Sequence, residues 1–119
     1  MNVAAKLQIK PGQTVAALFE PDDITLELRE GSAPGVDPSG ADAVLVFVAT
    51  RRELKDRSGP FVDAARRDAL AWIAYPKGGQ LGTDLNRDSL WDLLGAQGIR
   101  PVRQVSIDAT WSALRFRPA

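Results

Sequence analysis

The residues best suited to chemistry lie just after an apolar segment, where the chain turns polar at Lys77. The pair Gly78 and Gly79 follows directly. A helical pattern then begins at Asn86 and Arg87. In open α/β sheets, ligands gather where strands end and helix N-termini begin, and helix N-terminal amides attract anions. The sequence therefore predicts a pocket for a phosphate or carboxylate group, formed by Lys77, the two glycine amides and this helix start. The alternative is a solvated lysine beside a flexible turn, because a glycine pair lacks the full phosphate-loop pattern.

Asp84 and Asp108 are carboxylates whose residue type suits acid–base work. One interpretation makes them a catalytic pair, with Lys77 acting beside either of them on an anionic metabolite. The other makes each a cap of a helix or turn, which is the commoner use of such an aspartate. We favour capping and assign no catalytic residue.

Histidine and cysteine are absent from the chain. Without cysteine there are no disulfides, thiol nucleophiles or thiolate metal sites. Without histidine, the usual general base and the commonest metal ligand are missing, which argues against Ser–His catalysis and metal-dependent hydrolysis. The sequence therefore predicts no metal and no cofactor, and it argues against an enzyme without excluding one.

The overall composition is that of one soluble domain spanning residues 1–119. The chain is 45% hydrophobic and 25% charged, and its 15 basic residues balance 15 acidic ones. A neutral chain has no net field to attract nucleic acid or an anionic membrane, and the basic doublets 51–52 and 66–67 have acidic neighbours. No apolar run approaches the roughly 20 residues of a membrane span, and the first residues lack a signal-peptide pattern. We expect a cytoplasmic protein.

The elements that must position these residues follow from apolar patterning and turn residues. Strands are predicted over residues 14–19, 42–49, 69–75, 99–109 and 113–117. Helices are predicted from Thr50, with Glu53 reaching back to complete a capping box, over 61–67, and from Asn86 to Leu94. For residues 21–31 the sequence allows either a short helix, which we favour, or a strand. The alternating apolar residues indicate a strand, whereas the flanking residues are typical of a helix start and a helix end.

The arrangement of these elements predicts a three-layer α/β fold. Residues 42–49 are continuously apolar, which is typical of a parallel strand buried on both faces. The last two strands are joined tightly around residues 110–112, and so short a joint requires an antiparallel pair. We therefore expect a mostly parallel sheet that ends in an antiparallel strand pair.

Two resemblances refine this fold. The segment KPGQTV at residues 10–15, before the first strand, resembles the entry of class I S-adenosylmethionine methyltransferases. More specifically, segments over nearly the whole chain resemble a family of small bacterial proteins known as domain of unknown function three thousand and fifty-two. These segments are KPG at residues 10–12, VLVFV at 44–48, WIAYPK at 72–77, TDL at 83–85 and DATWSALRF at 108–116. The resemblance implies a Rossmann-like, methyltransferase-like domain and carries no established activity.

The methyltransferase resemblance also bears on the ligand site. In that strand order the last strand lies between the two before it, which would place Trp111 beside Lys77. Trp111 would then supply a flat apolar wall for the anion pocket, or it would close the core beneath the hairpin. The usual cofactor loop needs glycine after the first strand, but residues 19–22 read FEPD. We therefore expect no S-adenosylmethionine binding in the usual pose.

These observations favour a non-catalytic binding or regulatory module with a small anionic ligand at the carboxyl edge of the sheet. One alternative is a small enzyme acting on an anionic metabolite. Another is a ligand-free interaction subunit, with a protein partner or a second copy of the chain. Exposure of Trp91 or Phe61 in a large apolar patch would favour that alternative. From its position after Leu90, we expect Trp91 to lie in the core or an interface.

Overall fold

Five strands form one mixed sheet, described here from a computed structural model for residues 7–8, 13–19, 40–78, 82–107 and 109–119. The strands are β1 (Val15–Leu18), β2 (Ala43–Phe47), β3 (Leu70–Pro76), β4 (Ile99–Ser106) and β5 (Trp111–Pro118). The helices in these ranges are α1 (Arg51–Arg57), α2 (Gly59–Arg66) and α3 (Arg87–Gly95). The α/β class predicted from the sequence is confirmed.

The strand order is β1-β2-β3-β5-β4. β1, β2 and β3 pair in parallel, and β5 is antiparallel to both of its neighbours. Strands β1 to β4 therefore share one direction and only β5 opposes them, although two of the four pairings are antiparallel. The predicted antiparallel pair and the position of the last strand between the two before it are confirmed.

Apolar clusters cover both faces of the sheet. On one face, Phe61 and Leu90 are fully buried against Ile73 and Phe116, and α1 contributes Leu54. The opposite face carries Leu45, Phe47, Trp72 and Trp111 in a second cluster with Leu7. Among the described residues, helices cover the first face only, so the second helical layer of the three-layer arrangement stays a prediction. Residues 9–12 and 20–39 lie outside the described ranges. They include residues 21–31, for which the sequence allows either a helix or a strand.

Helices α1 and α3 begin at polar caps that are visible in the sequence, whereas Ser58 before α2 makes no side-chain cap hydrogen bond. The Thr50 hydroxyl accepts a hydrogen bond from the Glu53 amide at 3.1 Å, as predicted. The Glu53 carboxylate reaches one residue further back than expected and accepts from the Ala49 amide at 2.8 Å. Helix α2 begins two residues before its predicted start, because Pro60 fits a first helical turn, where an amide hydrogen has no partner within the helix.

The joint between β4 and β5 is longer than predicted. β4 ends at Ser106 rather than at residue 109, and β5 begins at Trp111 rather than at residue 113. Trp111 and Ser112 are therefore strand residues and not part of the joint. Their pairing with Pro76 and Tyr75 extends the antiparallel ladder to the last residue of β3, which explains the early start of β5.

Replacing Asn86 with alanine should lower the free energy of unfolding by about 1 kcal/mol. The Asn86 side chain accepts from the Ser89 amide at 2.8 Å, and the Ser89 hydroxyl accepts from the Asn86 amide at 2.9 Å. Alanine removes one half of this reciprocal cap. Urea denaturation measures the loss, and Asn86→Asp, which keeps an acceptor, should retain most of the stability. An equal loss in both variants would contradict the capping role.

Within the described ranges, the helices are too short and too polar to cross a bilayer.

Candidate functional site

A row of three hydroxyl groups crosses the carboxyl edge of the sheet on the helix-covered face. Ser112 pairs with Tyr75 on β3 and with Ser106 on β4. Residues directly opposite each other in a sheet project to the same face, so the three side chains lie side by side. Tyr75 belongs to the helix-side cluster, which fixes the face.

Lys77 and Gln104 attach to this row. The Lys77 Nζ donates to Ser106 Oγ at 2.5 Å, and Gln104 Nε2 donates to the Tyr75 hydroxyl at 3.0 Å. The Lys77 amide donates to the Thr110 carbonyl at 2.7 Å, which anchors the lysine backbone against the β4–β5 joint. Among the described residues, no carboxylate forms an ion pair with Lys77. Its ammonium group is thus positioned by a neutral partner.

Arg87 adds a second positive charge near the same row. Burial raises the pKa of Tyr75 above its ordinary value, and the charge of Arg87 acts in the opposite direction. The phenol therefore stays protonated at neutral pH. Arg87 is exposed and, within the described ranges, makes no hydrogen bond or ion pair with a side chain. We call Tyr75, Lys77, Arg87, Gln104 and Ser106 the edge site.

The other residues predicted at this pocket have different roles or lie outside the described ranges. The Asn86 side chain caps α3 through Ser89 and is occupied there. Gly78 has a φ of 36°, in the left-handed region that favours glycine, and a Cβ there would meet nothing within 4 Å. Glycine therefore suits position 78 because of the backbone conformation, and not because a side chain would lack space. Gly79 and Asp108 are outside the described ranges, so their predicted roles stay predictions.

Asp84 caps a helix from a distant segment. Its Oδ1 accepts from the Arg51 amide at 2.8 Å, and Arg51 Nε donates to the Asp84 carbonyl at 3.2 Å. The carboxylate thus satisfies a free amide in the first turn of α1 and ties the loop before α3 to that helix. This contact agrees with the capping interpretation of Asp84.

Trp111 lies next to Lys77 along the sheet but on the opposite face. It pairs with Pro76, is 5% exposed, and packs edge-to-face on Phe47 with ring centroids 5.2 Å apart. Successive residues of a strand face opposite sides, and Trp111 directly precedes Ser112, the partner of Tyr75, so Trp111 points away from the face that carries Tyr75. The expectation of a flat wall beside the anion pocket is not met, and the alternative, in which Trp111 closes the core, describes its position.

A shallow depression of about 210 Å³ lies between α3 and β4 and adjoins the edge site. Its lining combines apolar groups with cations and one amide: Arg87, Trp91, Pro101, Val102, Arg103, Gln104 and Leu114. Trp91 is 53% exposed, so of its two predicted positions the core is wrong and the interface stays a prediction, whereas Phe61 is fully buried. Arg87 and Gln104 belong both to this depression and to the edge site.

A larger depression of about 300 Å³ lies between α1 and α3, on the same side of the sheet. Leu54, Leu93 and Leu94 form much of its lining. Its cations are Lys55 and Arg51, and Arg51 is already held by Asp84.

Four arginines form two cross-strand pairs on the β4–β5 hairpin. Arg100 lies opposite Arg117, and Arg103 lies opposite Arg115. Residues three apart on a regular strand face opposite sides, but a bulge at Val102 shifts the register, and Arg100 and Arg103 share a face. The sequence shows the alternation of Arg115 and Arg117 but contains no signal for this bulge.

The positive charge of these four arginines is only partly neutralised. Arg117 forms a two-point ion pair with Asp68, at 2.8 and 2.9 Å, and Arg115 Nη1 donates to Gln8 Oε1 at 2.9 Å. The Arg115 Nε is buried, and the part of the chain that the structure describes offers it no hydrogen-bond partner. Burial, followed by the charge of Arg117, lowers the pKa of Arg115.

The Asp68–Arg117 pair should make stability depend on pH in the acid range. The hydrogen bond from Arg117 holds the pKa of Asp68 below its ordinary value of 3.8. A carboxyl whose pKa is lowered on folding stabilises the native state above its unfolded pKa, and this stabilisation disappears as pH falls through the folded pKa. We expect Asp68→Asn to lower the urea midpoint slightly at about pH 7 and not at about pH 2.

The control for this variant is Asp63→Asn, which changes another exposed aspartate, for which the described residues show no ion pair. Its urea midpoint should stay close to that of the parent chain at neutral pH. Equal losses in the two variants would contradict a specific role for the Asp68–Arg117 pair.

The turn after β1 differs from a glycine-rich cofactor loop at its first residue. Phe19 has a φ of 61°, in the region that favours glycine, and is 55% exposed. The Arg57 guanidinium lies 4.3 Å from the centre of its ring, a cation–π contact that holds the side chain over the end of α1. Residues 20–22 lie outside the described ranges. Within those ranges, no group of three acidic residues could hold a metal ion.

Comparison with known proteins adds no relative: the chain matches no protein-family model and no curated protein. The resemblance to the bacterial family of unknown function stays a prediction.

Proposed function

We propose that this chain is a non-catalytic binding or regulatory module that takes a small phosphate- or carboxylate-bearing ligand at the edge site. The observation that carries the proposal is the position of Lys77, whose Nζ is held on Ser106 Oγ with no carboxylate ion pair among the described residues. Arg87 places a second cation beside the same row of hydroxyls.

The donor groups of the edge site suit an oxyanion. A lysine ammonium has three hydrogen-bond donors, and one of them is used on Ser106. The Arg87 guanidinium offers a planar pair of donors that matches the spacing of phosphate or carboxylate oxygens. Hydrogen bonds between charged partners are roughly twice as strong as neutral ones. An anion would therefore gain from both cations, and Ser106 of the neutral row holds Lys77 in place.

The proton states of the edge site support binding over catalysis. The raised pKa of Tyr75 keeps its phenol protonated at neutral pH, which makes it a poor general base. Asp84, one of the two carboxylates proposed for the enzyme alternative together with Asp108, is occupied as the cap of α1. The protonated Tyr75 and the hydrogen-bonded Asp84 are therefore both poorly suited to removing a proton from a ligand held by Lys77.

The strand order supports a methyltransferase-like Rossmann domain as the finer description of the fold. β5 runs antiparallel between β3 and β4, which is the order expected from that resemblance. We also propose membership of the bacterial family of unknown function and a cytoplasmic location.

A ligand-free interaction subunit is the second candidate, and the exposure of Trp91 favours it. Trp91 and Val102 are large apolar side chains exposed beside each other at the α3–β4 depression. Sedimentation velocity over a range of protein concentrations tests self-association. A concentration-dependent dimer that Trp91→Ala abolishes would support this candidate over a small-ligand site.

A thermal-shift panel tests the preferred proposal. Inorganic phosphate and citrate, each present at about 100 times its dissociation constant, should stabilise the native state by about 2.7 kcal/mol and raise the melting temperature. Lys77→Ala should weaken binding at least tenfold, about 1.4 kcal/mol. Lys55→Ala, which removes an exposed lysine from α1, is the matched control and should bind as the parent does. The absence of a shift with every anion, or equal losses in both variants, would refute the proposal.

A further inference from the structure

The depression between α3 and β4 is continuous with the edge site through two side chains. Arg87 and Gln104 both line the depression. Gln104 also donates to the Tyr75 hydroxyl, and the charge of Arg87 acts to lower the pKa of Tyr75. A ligand whose anionic group lies near Lys77 can therefore extend towards α3 without leaving the same surface. β4 is at the opposite end of the sheet from β1, so this path is separate from the turn after β1.

The wall of the depression presents a flat aromatic surface. Trp91 is four residues after Arg87, so both side chains lie on the same side of α3. More than half of Trp91 is exposed, and Pro101, Val102 and Leu114 add apolar surface around it. A planar ring stacked on the indole would cover apolar area that now faces solvent.

The charges around Trp91 favour an electron-rich or anionic partner. Arg87 lines the depression and forms no ion pair within the described ranges, whereas Arg103 lies opposite Arg115 and its side chain projects to the other face of the sheet. An unneutralised guanidinium beside this depression would repel an incoming cation and attract a group that carries negative charge or hydrogen-bond acceptors. An apolar helix of a protein partner would leave Arg87 unpaired, whereas a ring bearing nitrogen and oxygen acceptors would engage it.

The size of the depression limits what it can hold. About 210 Å³ is below the range of roughly 300–1,000 Å³ typical of drug-sized ligands, so the depression suits one ring system. Building on the proposed function, we propose that the ligand joins an aromatic ring to a phosphate group. The phosphate binds Lys77 at the edge site, and the ring stacks on Trp91 beside Arg87. A nucleoside monophosphate has this composition.

Three probes separate the ring from the phosphate: adenosine monophosphate, ribose 5-phosphate and adenosine. Isothermal titration calorimetry measures the affinity of each. Because a stacked base adds substantially to affinity, adenosine monophosphate should bind at least tenfold more tightly than ribose 5-phosphate. Trp91→Ala should remove this advantage and leave the affinity for ribose 5-phosphate unchanged. Leu93→Ala, which changes another exposed apolar residue of α3 outside this depression, should retain it.

The outcomes distinguish the two proposals. If ribose 5-phosphate binds and depends on Lys77, but adenosine monophosphate gains nothing over it, the ring site is wrong and the anion site stands. If no phosphate compound binds, both proposals fail. Adenosine binding as tightly as adenosine monophosphate and independently of Lys77 would also overturn this inference. Quenching of tryptophan fluorescence that disappears in Trp91→Phe would support it, because Trp72 and Trp111 are buried.

Discussion

Trp72→Ala should lower the free energy of unfolding by about 3–5 kcal/mol, measured by urea denaturation. Trp72 is the largest fully buried side chain among the described residues and lies in the middle of β3. Its Nε1 donates to the Leu7 carbonyl at 2.9 Å, which connects the sheet to a residue 65 positions earlier in the chain. Alanine would both leave a cavity and remove the donor for that carbonyl.

Two further variants separate these contributions. Trp72→Phe keeps much of the ring but leaves the Leu7 carbonyl without its donor, which should lower stability by about 1–3 kcal/mol. Trp91→Ala removes the same type of side chain from an exposed site and should change stability by only about 0.5 kcal/mol. Similar losses in Trp72→Ala and Trp91→Ala would contradict the assigned burial of the two tryptophans.

Phe61→Ala should have a comparably large effect, also about 3–5 kcal/mol. Phe61 is fully buried on α2 and packs edge-to-face on Phe116 of β5, with ring centroids 5.5 Å apart and an interplanar angle of 84°. The pair joins the helix layer to the strand that lies between β3 and β4. Its loss would loosen α2 from the sheet, and urea denaturation should show a lower midpoint.

A double-mutant cycle tests whether the two rings interact specifically. Phe61→Ala and Phe116→Ala should each destabilise the chain, and their combination should fall short of the sum by about 0.5–1.5 kcal/mol. Should the unfolding transition of the single variants be too broad to measure, Phe61→Leu and Phe116→Leu provide a milder cycle. Additive losses in both cycles would show that the contact contributes only buried area.

Local patterns were sufficient to predict the succession of strands and helices along the chain and the starts of α1 and α3, whereas the spatial order of the strands came from the methyltransferase resemblance. The strand β2 and the helix cap at Asn86 each depend on a few residues that are neighbours in sequence, so both can be predicted from the order of residue types alone. The position of Lys77 beside the β4–β5 joint followed from topology, and its amide does bond to Thr110.

The faces of individual residues were harder to predict, because they depend on register. A shift of one residue moves a strand side chain to the opposite face, so the predicted neighbour Trp111 turned out to lie across the sheet from Tyr75. On α3, the buried residues Leu90 and Leu94 are four apart, and Trp91 falls outside the stripe that they define. Applied strictly, the four-residue spacing of Leu90 and Leu94 predicts that Trp91 is exposed.

The bulge at Val102 has a further consequence for how the molecule behaves in concentrated solution. Among the described residues, β4 is the outermost strand of the sheet at this border, and the free side of an outermost strand can recruit strands from other molecules. Pro101 has no amide hydrogen to donate, Val102 interrupts the regular spacing, and Arg100 and Arg103 would meet like charges in a symmetric pairing. This border of the sheet therefore resists fibril growth.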